Sequence, residues 1–465
     1  MSKRDYVWLF IVLGVATVAW SVPAPSGLKE ESWKLFIIFI SAIITVIVDA
    51  LPILTASILA LSIEILTGVL KPKEAFMGFS EGFILLIVAA FLIAKAVIKS
   101  GLGKRISFLI IKKFGKSSLG LAYSVMGADM LIAPAFPSNT ARSGVLFPIV
   151  KALAVDSGSN PDKSSRHKLG AFLMLSSMAG ITLSSSLWLT AMAANPAGAK
   201  MAEKFDIHIS YMLWVAGAIL PVVILFFLIP IVIYKVFPPE IKKTPDAPKI
   251  AEDALKQMGP MSKDEKIMAG VFIGMVGLWI GSSAFGIDKT AVAFLGLGIL
   301  MLTGVFTLDD MSKEGNALGT LIWFSTLYAM SVYLNKFGFM GWIGEHISNA
   351  IGGFNWIVVY LILVISYVLI HYFFVSQTAQ MLALFSVFLG VGVNAGVPAE
   401  LLAFMLLFAT NFNAMITPQG SSANVIYLSS GYLESREVYK YGGIVTLANT
   451  LIYLGIGTAW IMLVF

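Results

Sequence analysis

The chain has no cysteine in 465 residues. That excludes disulfides, thiol nucleophiles, iron–sulfur clusters and thiolate metal sites. Its four histidines lie far apart, so no imidazole cluster offers a metal centre. Charge is scarce: Asp, Glu, Lys and Arg make up 12% of the residues against 58% hydrophobic, and the mean hydropathy is +0.87. A water-facing surface cannot be built from so little polarity, which makes this an integral membrane protein. The one sizeable polar stretch is 237–265, "FPPEIKKTPDAPKIAEDALKQMGPMSKDE". No room remains for a soluble catalytic domain, so the function must reside among the membrane helices.

Apolar sequence, in contrast, is abundant and comes in blocks. Runs of roughly the 17 to 25 residues that cross a bilayer predict eleven spans, at 6–22, 33–50, 51–70, 79–99, 169–190, 209–236, 266–285, 290–307, 317–335, 398–416 and 441–465. Two further regions, 119–150 and 354–391, are long but interrupted, and read as re-entrant hairpins. The opening "MSKRDYVWLFIVLGV" has the charged-then-apolar start of a signal peptide. It lacks a small-residue cleavage site and is read as a retained first helix. With the N-terminus in the cytoplasm, 22 of the 32 Lys and Arg residues fall inside and eight outside, while Lys95 and Arg142 lie within membrane segments. This positive-inside asymmetry accounts for the net charge of +6 without a nucleic-acid partner. The expectation is an all-α polytopic protein of a cell membrane.

The two interrupted regions resemble each other. Each follows an amphipathic stretch suited to lie on the membrane surface, "IKSGLGKRISFLIIKKFG" and "LNKFGFMGWIGEHISNAIGG". From Gly101 to Ser138 is 37 residues and from Gly338 to Ser376 is 38, and the tips read Ser138-Asn139-Thr140-Ala141 and Ser376-Gln377-Thr378-Ala379. Five predicted spans separate the units, so the second enters from the opposite side. Inverted repeats of this kind build secondary transporters, with the site at the repeat interface. In the first region Pro134 and Pro137 stop one arm, and Ser-Asn-Thr caps the helix that returns. A helix N-terminus presents free N–H groups and partial positive charge, which suits carboxylate oxygens. Lipid tolerates such a tip only where it faces protein or a water-filled cavity.

Each half adds a second broken segment. In "LSSSLWLTAMAANPAG" the break is expected at Asn195-Pro196; in "NAMITPQGSSANVIYLSSGY" it is expected around Pro418, Gly420 and Asn424. Gly420, Ser421, Ser422 and Asn424 form the stronger polar cluster.

The "PSNTAR" tip, its "HYFFVSQTA" counterpart, the "VPAELLAFMLLFATNF" stretch and the "SSANVIYLSSGY" ending resemble the divalent anion/sodium symporter family over nearly the whole chain. They are most similar to its 2-oxoglutarate/malate and citrate/succinate exchanger branch. The resemblance implies a homodimer whose protomers each have a scaffold and a mobile part that carries dicarboxylates by an elevator-like movement, with no cofactor and no enzymatic chemistry. On that reading, 1–118 holds scaffold helices and an interfacial helix, and 119–236 the first hairpin, broken helix and following span. A cytoplasmic linker occupies 237–265, a second scaffold part 266–353, and the second hairpin, broken helix and last span 354–465. The substrate motif falls on Ser138, Asn139 and Thr140, and on Ser376, Gln377 and Thr378, with Asn195 and the 420–424 cluster beside them. Sodium-coupled members often carry Thr-Pro-Pro-Asn in each broken helix; here those positions read Met192-Ala193-Ala194-Asn195 and Ser421-Ser422-Ala423-Asn424. That departure favours exchange over sodium symport.

A dicarboxylate brings about two negative charges into a site where unpaired charge is prohibitive. Arg142, one turn beyond Ser138, is either a fixed counter-ion or the partner of Asp129 on the other arm of its hairpin. His371, five residues before Ser376, either adds donors and a titratable proton or serves structure. Asp49, Glu64 and Lys95 lie outside the repeated units and are read as scaffold or helix-end groups.

Overall fold

The structure is a computed structural model that describes residues 3–350 and 353–465. Ile351 and Gly352, near the end of the expected second interfacial stretch, lie outside the described residues, as do Met1 and Ser2. Among the described residues every regular element is helical. Ten helices are long and apolar enough to cross a membrane, three of them being hairpin arms. Two expected spans are short: the helix in 51–70 is Ile53–Leu66 and that at 290–307 is Lys289–Leu302, each of 14 residues. Both stop for the same local reason. Thr67 and Thr303 donate back to Ile63 and Ile299 carbonyls, and Gly68 and Gly304 then take φ of 72° and 78°, where a Cβ is unfavourable. Identical Leu-Thr-Gly-Val segments at 66–69 and 302–305 write this ending twice, a mark of the repeat stronger than the tip triplets.

The interfacial helices begin at equivalent left-handed glycines. Gly101 (φ 84°) precedes Leu102–Phe114, and Gly338 (φ 89°) precedes Phe339–Ala350. The polar linker is folded rather than loose. Its helix Ala247–Met258 packs on Leu102–Phe114 through Ala247 and Ala251. Arg105 then fastens it, donating to Glu265 (2.6 Å) and to the Gly259 carbonyl (3.0 Å). Thr244 N–H also reaches the Lys116 carbonyl at 3.1 Å.

Both hairpins form. The first has arms Ser118–Ile132 and Asn139–Asp156, the second Trp356–Ile370 and Gln377–Asn394. At the centre run Gly170–Leu187, buried over its whole length, and Ala399–Phe412, buried from Leu401 onward. Helices buried all round lose the amphipathic stripe and use small residues for close approach; a Cβ on Gly180 would stand 2.7 Å from Met126. The last span is Ser435–Val464, six residues longer at its start than the apolar run 441–465.

Candidate functional site

Two serines build the site from the backbone up. Ser138 has φ,ψ of −141°,121° and its Oγ accepts from Ala141 N–H at 3.3 Å. Ser376 has −143°,120° and accepts from Ala379 N–H at 3.2 Å. Each caps a hairpin arm, leaving the first N–H groups of that arm without a carbonyl one turn back. The tips meet: Asn139 Nδ2 donates to Gln377 Oε1 at 3.0 Å. Thr140 Oγ1 pairs with Ser422 Oγ at the start of the second broken helix. Beside this contact lies a cavity of about 400 Å³. Its wall includes Ser138, Asn139, Thr140, Ser376, Gln377, Thr378, Ser421 and Ser422, so eight of the eleven expected binding residues come together.

Asn195, Gly420 and Asn424 stand behind that wall. Asn195 Nδ2 donates to the carbonyls of Ser185 (2.9 Å) and Trp188 (3.2 Å), ten and seven residues earlier. Asn424 Nδ2 donates to those of Ala414 (2.7 Å) and Thr417 (3.1 Å), again ten and seven residues earlier. Each amide spans one break and satisfies carbonyls that have lost their helical partners. The first break therefore falls at Trp188–Ala193, ahead of the expected Asn195-Pro196, which lies in the opening turn of Ala194–Ala202. Proline is tolerated there because that turn has no carbonyl to offer its missing N–H. The break is also pinned to the first hairpin: Thr190 Oγ1 donates to the Pro134 carbonyl (2.9 Å) and Ala193 N–H to that of Pro137 (3.0 Å). At Gly420 a Cβ would meet the Ala414 carbonyl oxygen at 2.5 Å, so glycine is required by the crowding.

Arg142 is fully buried and does not reach the cavity. Its Nη1 lies 2.9 Å from Asp129 Oδ2 and also bonds Ser184; Nη2 donates to Asn139 Oδ1 (2.7 Å) and to Ser185. Of the two readings open in the sequence, the ion pair with Asp129 is the one formed. Arg142 thereby fixes the Asn139 amide, whose oxygen is occupied and whose Nδ2 is left for Gln377 and the cavity. In the second hairpin Gln380 occupies the matching place, four residues past the cap. Its Nε2 donates to the Tyr367 carbonyl (2.7 Å), and its Oε1 accepts from Asn413 (3.1 Å). His371 is buried beside it, with Nε2–H donating to the Gly420 carbonyl (2.8 Å) and Nδ1 lying 2.6 Å from Gln380 Oε1. Both residues hold the site from behind.

The opposite wall was not foreseen. It is made by Phe91, Ala94, Lys95 and Ile98 on the span Gly82–Ser100, and by Glu314, Asn316, Thr320 and Trp323 at the start of Gly315–Lys336. The spacing 91, 94, 95, 98 is one face of a helix. That signal was present in the sequence, but a lysine one turn from Lys99 reads as a helix-end group.

A buried polar fold with two capped tips converging on one cavity defines a polytopic membrane protein with an internal solute site. Residues 3–465 match the family described as the sodium:sulfate symporter transmembrane region. The chain belongs to that divalent anion/sodium symporter family. It is 41% identical over 461 residues to the "Putative malate transporter YflS" of Bacillus subtilis, covering 99% of this chain and 96% of that one. It is 38% identical over 454 residues to the chloroplastic dicarboxylate transporter 1 of Spinacia oleracea, covering 97% and 79%. Among solved structures, the YdaH transporter of Alcanivorax borkumensis shares the fold with a TM-score of 0.58 at 13% identity, over 99% of this chain and 98% of that one.

Proposed function

We propose that this protein exchanges dicarboxylates such as 2-oxoglutarate, malate, succinate and fumarate across the bacterial cell membrane, with its N-terminus in the cytoplasm. The carrying observation is the convergence of two matching capped tips, joined by the Asn139–Gln377 bond, on one cavity. The tips supply N–H groups and hydroxyls to a carboxylate of a short dianion, and the names of the relatives point to the same substrate class.

An elevator-type movement fits the division of contacts. The tips and breaks bond one another through Asn139–Gln377, Asn411–Asn195 and Thr140–Ser422. Arg166 clasps Glu434 and Glu437 across the same unit. The cavity lies between this body and the helices Gly82–Ser100 and Gly315–Lys336, which act as scaffold and, by resemblance, carry a homodimer. At the second break a protein N–H already occupies a carbonyl, that of His371 at Gly420. This supports exchange without sodium over a sodium-coupled symporter, the reading that the family's description favours. The reaction needs no covalent step, so the protein works as a carrier and not as an enzyme.

Uptake of labelled succinate by proteoliposomes tests the substrate class. Malate and 2-oxoglutarate are expected to compete, and Ser138→Ala and Ser376→Ala to reduce uptake; no competition by any dicarboxylate would refute the reading.

A further inference from the structure

We propose that Lys95 is the cation that receives a substrate carboxylate on the wall facing the tips, and that Glu314 holds its ammonium until the substrate displaces it. The inference rests on the dicarboxylate reading above and adds a residue outside both hairpins and both breaks.

Among the described residues that line the cavity, Lys95 and Glu314 are the two ionisable ones. Their pairing is loose, with Nζ to Oε2 at 4.0 Å, the lysine side chain 39% exposed and the glutamate 11%. The next lysine on that helix is engaged differently. Lys99 stands 2.5 Å from Asp310, whose carboxyl also accepts from Thr307 Oγ1 and N–H. The Lys99 ammonium, with those bonds from Thr307, holds Asp310 down at about 2, below the ordinary carboxylate value of 3.8. Lys99 is thus tied to a firmly ionised partner off the cavity, while Lys95 is held at arm's length on it. Arg142 cannot serve, because Asp129, Asn139 and two serines take its guanidinium.

A dianion entering this cavity meets neutral donors on the tip wall and the lysine–glutamate pair on the other. With Glu314 unpaired, the approach would carry a negative wall against an anion; with Lys95 between them, the sign is reversed. One substrate carboxylate takes a tip and the other takes Lys95. Because Lys95 lies on the scaffold, the contact belongs to the conformation open on the side that carries Lys99 and Lys313. It is given up when the tips move away, so the cation need not cross the membrane with the substrate.

The test is binding of labelled succinate to purified protein. Lys95→Gln is expected to weaken binding about fivefold, the scale of a solvent-accessible ion pair, and Glu314→Gln to tighten it. The absence of native cysteine adds a control that separates charge from packing. In Lys95→Cys, an aminoethyl methanethiosulfonate reagent rebuilds a cationic side chain and restores affinity, and the sulfonatoethyl reagent does not. Unchanged affinity in folded Lys95→Gln, or equal recovery with both reagents, overturns the proposal while the function stands. Wild-type protein that binds no dicarboxylate overturns the function and this inference together.

Discussion

At the residue scale, the two asparagines of the breaks show how one side chain can hold open a gap in a buried helix. Removing either amide leaves one buried carbonyl without a donor, Ser185 or Ala414, at about 1–3 kcal/mol, while those of Trp188 and Thr417 keep the N–H of Ala191 and Gly420. Asn195→Ala and Asn424→Ala are therefore both expected to lower the unfolding temperature in detergent, Asn195→Ala by more, since both bond carbonyls ten and seven residues back and Asn195 Oδ1 also accepts from Asn411. Arg142 gives a second case. Removing one member of a fully buried ion pair costs about 3–5 kcal/mol, because the other charge is stranded. Arg142→Gln should destabilise on that scale, and adding Asp129→Asn should recover much of the loss in a double-mutant cycle. A free counter-charge would give no such recovery. Sequence named Arg142, Asp129, Asn195 and Asn424 as polar groups in apolar surroundings. It could not say which faced the cavity, because facing is set by helix rotation and by partners from helices far along the chain.

At the scale of elements, legibility was high wherever backbone chemistry is local. The capped tips, the glycine-led interfacial helices and the hairpin arms all follow from residues within a few positions of each other. Proline predicts the first break at Asn195-Pro196. The chain leaves the helix earlier, at Trp188, whose indole donates to the Met130 carbonyl at 2.9 Å in the first hairpin. A tertiary contact decided that boundary, and no local signal carries it. Close packing between elements supplies another prediction. A Cβ on Gly78 would sit 2.3 Å from the Ser325 carbonyl oxygen and 2.7 Å from its Cα. Since backbone cannot yield as a flexible side chain does, Gly78→Ala should cost about 1–3 kcal/mol, read as lower folded yield and unfolding temperature, with Gly144→Ala, in open space, as the unaffected control.

At the scale of the molecule, composition alone placed the function inside the membrane, and the repeat placed it between two tips. What escaped was the second wall, because a cavity between two bodies needs the packing of helices that no motif links. The docking of the linker is likewise tertiary: the sequence marks 237–265 as a polar cytoplasmic linker, and its attachment to Leu102–Phe114 through Arg105 depends on residues far along the chain. The central claim is that this body exchanges dicarboxylates and does not pump them with sodium. The direct measurement is uptake of labelled 2-oxoglutarate or succinate into proteoliposomes, either without internal substrate or preloaded with unlabelled dicarboxylate, with and without a Na⁺ gradient. Uptake that requires internal dicarboxylate and is indifferent to Na⁺ is the predicted result; Na⁺-driven uptake into vesicles without internal substrate would contradict it.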